Sequence, residues 1–174
     1  MAPCFTLRRL LPADAAAYRE LRLEGLRSDP ASFGAAWEDE AAQPLDWFAA
    51  RLGGGLVQGG FLPEGRLPGV AGLLVSEAVR QRHKAVLWGM FVRPEARGRG
   101  LAAALVEALL AAAPPQVEEV RLTVMASNVA AIRLYARLGF MRFALEPRAL
   151  KIDGRYHDDA WMVRRCAPAR SAQE

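Results

Sequence analysis

The 174-residue chain carries 23 basic and 19 acidic side chains, a formal charge of +4, with 52% hydrophobic and 24% charged residues. That composition excludes a disordered tail or a collagen, and the length suits one ordinary domain able to bury a core without staples. The basic residues are all arginine except Lys84 and Lys151 and are scattered, with no run of five or six. This argues against a nucleic-acid stripe but leaves room for a small polyanionic ligand.

Cys4 and Cys166 stand near opposite ends, and no CxxC or Cys/His spacing accompanies them. No metal site is expected, and two free thiols in a reducing cytosol are favoured over a disulfide. Arg8, Arg9, Pro12 and Asp14 interrupt the N-terminus before a secretory apolar core can form. The longest apolar stretches flank Glu107 and end at Pro114-Pro115, too short to span a bilayer. These features predict a soluble cytoplasmic protein without a membrane or nucleic-acid partner.

Phe5 to Leu10 reads as a strand, followed by a helix over 15–27 with Ala17, Leu21 and Leu23 or Glu24 in helical spacing. Residues 31–44 read as irregular, with Glu38-Asp39-Glu40 as a solvated run. A short helix over 45–52 ends at Gly53-Gly54-Gly55. Strands follow over 56–62 and 70–78. The segment 85–92 is apolar at nearly every position, as expected of a central strand covered on both faces, and Gly89 inside it marks a bulge or a close approach. Then come a helix over 100–112 with Leu101, Leu105 and Leu109 on one face, a strand over 120–125, a helix over 128–138 with Gly139 as its cap, and a strand pair over 140–147 and 159–165. The order predicts one α/β (α+β) domain over 1–174, with a core over about 5–165 and a disordered tail over 167–174. Its six or seven strands would be mostly antiparallel, with about four helices on the sheet faces.

Two constellations carry chemistry. In the first, Arg97-Gly98-Arg99-Gly100-Leu101-Ala102-Ala103 turns from the central strand into a helix. Glycines let backbone N–H groups approach a ligand, and the helix start adds unpaired donors and a positive dipole end. Arg97 and Arg99 add charge-assisted contacts to phosphate, so the segment reads as a pyrophosphate cradle. The dinucleotide pattern G-x-G-x-x-G fails at Ala103, and the Gly-Lys-Ser/Thr of a P-loop is missing. In the second constellation, Asn128 caps a helix that carries Tyr135 seven residues on, nearly two turns away and roughly 10 Å along the axis, so one extended ligand could touch both.

In this order and about thirty residues apart, the two constellations resemble the GNAT superfamily of acetyl-CoA-dependent N-acetyltransferases. Arg97, Gly100 and Ala102 match Arg/Gln-x-x-Gly-x-Gly/Ala, and Asn128, Tyr135, Gly139 and Phe140 match the second signature. The resemblance implies acetyl-CoA as co-substrate, no metal, and direct attack by an amine in a ternary complex. It implies a splayed central strand with pantetheine pairing along Met90, Phe91 and Val92, and the Met90 N–H polarising the thioester carbonyl. Pyrophosphate maps to Arg97, Gly98, Arg99, Gly100, Leu101, Ala102 and Ala103, a pantetheine contact to Asn128, and the general acid to Tyr135.

One departure stands out. The general base of many family members aligns with Val86. Glu77, His83, Glu38 to Glu40, or His157 with Asp158 and Asp159 could replace it, or each could be a solvated residue. Phe33 and Trp37 either line the acceptor mouth or pack beneath the first helices. The expected acceptor is a primary amine on a small molecule such as an amino acid derivative, polyamine or amine-bearing antibiotic. The rivals are a protein N-terminal or lysine acetyltransferase and a non-catalytic CoA-binding module. A monomer and a homodimer are both compatible with the sequence.

Overall fold

The structure is a computed structural model that describes residues 5–166. The expectations about Cys4 and about residues 167–174 lie outside that range. Seven strands, β1 (Thr6–Arg9), β2 (Leu56–Phe61), β3 (Gly69–Val75), β4 (Lys84–Val92), β5 (Glu119–Met125), β6 (Met141–Ile152) and β7 (Arg155–Arg165), follow the sheet order β1-β2-β3-β4-β5-β7-β6. The described ladders are antiparallel apart from β4 with β5, where Lys84, Ala85 and Val86 run parallel to Glu119, Val120 and Arg121. Helices α1 (Ala15–Ser28), α2 (Trp37–Ala41), α3 (Leu45–Gly54), α4 (Leu101–Ala111) and α5 (Val129–Arg137) complete the mixed α/β fold. No helix among the described residues is long and apolar enough to cross a membrane.

The chain packs as two compact units. Among the described residues, one is 5–73 together with Trp88–Ala111, and the other is Leu74–Leu87 together with 112–166. In the first unit, strand alternation gives β2 and β3 two differently covered faces. A Cβ on Gly60 or Gly69 would run into Leu101 of α4, whereas one on Gly72 would meet the Trp88 ring at 2.5 Å. Missing side chains thus let a helix and an indole press directly onto the strands. The core of this unit joins Tyr18, Leu21 and Leu26 of α1 to Phe48 and Leu52 of α3, Val57, Val70 and Phe91. Arg93, just past β4, is clamped by Glu20 and Glu24 of α1 at 2.8 Å each, and its N–H donates to the Pro68 carbonyl at 2.8 Å. This fixes the point at which the chain leaves the strand.

The buried stripe of α1 is Ala15, Tyr18, Leu21, Arg22, Gly25 and Leu26. It is rotated from the expected face, because Ala17 is exposed and Leu23 and Glu24 are half-buried. Residues 31–44 are not irregular throughout, since α2 forms there. Glu40 inside it is 4% exposed and accepts from Arg22 Nε at 2.9 Å, Arg22 Nη2 at 2.7 Å and Arg51 Nη1 at 3.1 Å. β4 is central in order, but it is not covered on both faces: Val86 is 42% exposed and Trp88, Gly89 and Met90 are half-buried.

In the second unit, β5 and β7 pair from Glu119 with Arg165 to Met125 with Asp159, burying Val120, Leu122, Val124, Ala160 and Met162. β6 runs well beyond Pro147. Of its two register shifts, one lies between Arg142 and Ala144, and the other, between Glu146 and Leu150, absorbs the proline, which is tolerated at a sheet edge or bulge.

Candidate active site

In the first unit, β4 runs unbroken through Gly89, whose φ of +63° lies in the left-handed region and makes the backbone locally irregular there. A side chain there would be strained, and its Cβ would stand 3.7 Å from Arg22 Nη1. Met90 follows half-buried, and Phe91 and Val92 are buried. Arg97 folds back, its Nε donating to the Val92 carbonyl at 2.8 Å and its guanidinium lying 5.9 Å from the Phe91 ring. That arginine holds the end of the strand as well as contributing charge.

Beyond Arg97 the turn is open. Gly98 and Gly100 have φ of +73° and +82°, and a Cβ on either would find nothing within 4 Å. Their presence is therefore dictated by backbone conformation, not by packing. Arg97 through Gly100 are exposed. α4 starts immediately afterwards, its first bond past the turn being Ala104 N–H to the Gly100 carbonyl at 3.0 Å. The N–H groups of Leu101, Ala102 and Ala103 precede any intrahelical acceptor. The result is a compact set of outward donors at a positive helix end, suited to an anion.

The acceptor candidates of this unit separate. Phe33 is buried, with its ring 6.3 Å from Phe91 and the Arg22 guanidinium 5.0 Å above it. Trp37 is half-buried beneath Arg27, 4.2 Å from its ring. Glu38 is exposed. Glu40, from the run read as solvated, is buried between two arginines. Burial pushes its carboxyl up, but hydrogen bonds and charge from Arg22 and Arg51 outweigh this and hold it below the ordinary value.

In the second unit, Asn128 caps α5, its Oδ1 accepting from the Ala131 N–H at 3.1 Å. Its side-chain NH₂ remains a donor. Tyr135 is 6% exposed and stands edge-on to Phe140 at 5.8 Å. Gly139, at φ +84°, and Phe140 close the helix with N–H bonds to Ala136 and Tyr135 carbonyls, each 3.0 Å. Burial pushes the Tyr135 phenol up to about 12, so it stays protonated throughout the neutral range. Val86 carries no titratable group, Glu77 is exposed, and His83 and His157 are half-buried. Asp159 is held above the ordinary carboxylate value by burial and by Glu146 opposite it, with His157 pulling the other way. No group of three metal-ligating side chains occurs among the described residues.

Tyr18, Arg22 and Arg51 were not among the candidates read from sequence. Their one local signal was the placement of Tyr18 and Arg22 four residues apart within the stripe that α1 buries.

The open two-glycine turn belongs to the first unit, and the capped helix with its buried tyrosine belongs to the second. The model of the acetyltransferase (GNAT) family matches residues 19–140, and the chain belongs to that family. Among solved structures, it is similar to a GNAT-family acetyltransferase of Streptococcus pneumoniae, with a TM-score of 0.83 at 22% identity over 93% of this chain and 99% of that one. It is also similar to a GNAT-superfamily phosphinothricin acetyltransferase of Sinorhizobium meliloti in complex with acetyl-CoA, with a TM-score of 0.78 at 21% identity over 97% and 95%. A third likeness is to a ribosomal-protein-alanine N-acetyltransferase of Brucella melitensis, with a TM-score of 0.76 at 22% identity over 92% and 99%. No curated protein sequence matches the chain.

Proposed function

We propose that the protein is a single-domain N-acetyltransferase of the cytoplasm that moves an acetyl group from acetyl-CoA to a primary amine of a small molecule. The observation that carries this reading is the open turn. Gly98 and Gly100 hold left-handed backbone under empty space at the start of α4, a geometry that suits a pyrophosphate and serves no packing need. Pyrophosphate is assigned to the N–H groups of residues 98–103 and to Arg97 and Arg99. Pantetheine is assigned to the backbone of Met90, Phe91 and Val92 and to Asn128. The Met90 N–H polarises the thioester carbonyl and Tyr135 donates to the departing sulfur. The amine attacks the carbonyl carbon, the C–S bond breaks, and proximity in the ternary complex supplies much of the rate.

Gly100→Glu tests the assignment. It introduces a carboxylate and a Cβ where phosphate would lie, and is expected to weaken CoA binding at least tenfold, about 1.4 kcal/mol, in a folded protein. Unchanged affinity by titration calorimetry would remove the pyrophosphate from this turn.

The attacking amine must first lose a proton, and Val86 offers no base. Proton loss is assigned to water or backbone carbonyls. The alkaline rise in kcat/KM should then track the acceptor's own pKa and move when an acceptor of lower pKa is used. An inflection common to both acceptors and abolished by Glu77→Gln or His157→Ala would instead identify a side-chain base.

A further inference from the structure

Beside Gly89, on the helix side of the first unit, lies a group of hydrogen-bond donors that the acetyl-transfer reading leaves unused. Arg22 is 5% exposed and spends Nε and Nη2 on Glu40, leaving Nη1 turned to Gly89. Arg51 shares the same carboxylate and lies between two indoles, 4.8 Å from the Trp47 ring and 4.6 Å from that of Trp88. Two guanidiniums against one carboxylate leave an excess of one positive charge.

Two neutral donors adjoin them. The Tyr18 hydroxyl, on a side chain 2% exposed, and the Trp88 Nε1–H are buried with no hydrogen-bond partner among the described residues. Tyr18 is near enough to Arg51, Arg22 and Glu40 to feel all three charges, although burial dominates and raises its phenol. Buried donors without partners are rare and destabilising, and they call for a function or a missing partner. Unpaired hydroxyl and indole donors next to excess positive charge are complementary to an oxyanion. Cationic polyamines and aminoglycosides are the wrong sign for this environment.

We infer that Arg22, Arg51, Tyr18 and Trp88 bind a carboxylate of the acceptor, making the substrate class small amino acids whose amine lies within a few bonds of that carboxylate. The short span follows from the position of Arg22 Nη1 against Gly89, next to the Met90 N–H assigned to the thioester. This inference rests on the acetyl-transfer reading and narrows its acceptor.

The test compares the common L-amino acids with their carboxamides and their decarboxylated amines, by released CoA thiol and by mass spectrometry of the products. Acetyl-CoA binding is measured separately by calorimetry. One or more acids should exceed the matching amide and amine in kcat/KM by about tenfold or more, the worth of a hydrogen bond to a charged group. Tyr18→Phe retains the ring and should raise the acid's KM by a similar factor without lowering Tm, and should narrow the gap between acid and amide. Arg51→Met should likewise raise the acid's KM and narrow the gap between acid and amide. If amides or amines match the acids, if the advantage of the acids survives both variants, or if acetyl-CoA binds but no acid is acetylated, the carboxylate site is wrong while the cofactor assignment stands. Failure of acetyl-CoA to bind would remove the underlying reading.

Discussion

Tyr135→Phe is expected to lower kcat by 10²–10⁴-fold, the usual contribution of a positioned acid, while KM for acetyl-CoA changes little. An interaction made only as the sulfur departs is absent from the ground state. Burial sharpens the expectation. With its pKa pushed up to about 12 by burial, the phenol stays protonated across the neutral range and is available to the sulfur as negative charge develops there. It gives its proton to the departing sulfur, and the proton lost by the amine to water balances the one that restores the phenol. The wild-type rate should accordingly show no loss from tyrosine ionisation below about pH 11. Steady-state kinetics over pH would check both points, and wild-type turnover in the phenylalanine variant would leave Tyr135 a packing residue against Phe140.

Glu40→Gln is expected to destabilise the fold by about 3–5 kcal/mol, the cost of leaving buried charges unpaired, because Glu40 neutralises one of two guanidiniums and both it and Arg22 are almost fully buried. The pH dependence has a definite sign. The folded pKa of Glu40 lies below the ordinary 4.5, so its stabilisation is complete above the unfolded value and disappears as pH falls through the folded one. Urea denaturation should show a wide gap between wild type and variant at pH 7 that closes as pH falls below about 4. A gap independent of pH would mean that shape, not charge, accounts for the loss.

Most of this architecture was legible because long periodic segments and turn residues state it locally. β4 shows as an apolar run, α4 by its leucine spacing, and α5 by Asn128 and Gly139. α2 was missed because five residues with three acids carry no readable period. What holds it is the buried contact of Glu40 with arginines on two other helices, which no local signal discloses. β6 was cut short at Pro147, since a proline reads as a stop unless the bulge that accommodates it is known. The proposed cofactor residues stood out because backbone needs leave glycines at fixed spacing. The acceptor side did not, because arginines on an amphipathic helix read as solvated surface, and only tertiary packing turns Arg22 and Arg51 inward.

The two glycines of the open turn have a consequence for how this site can be probed. Nothing crowds them, so what excludes other residues there is handedness: an L side chain in left-handed backbone costs about 1–2 kcal/mol without touching a single atom. A D-alanine at Gly100 placed by chemical synthesis would sit at its φ of +82° as comfortably as glycine does, whereas the L enantiomer would not. Mirror-image residues of equal size would thus separate two things that every ordinary substitution confounds, the shape of the loop and the room left above it.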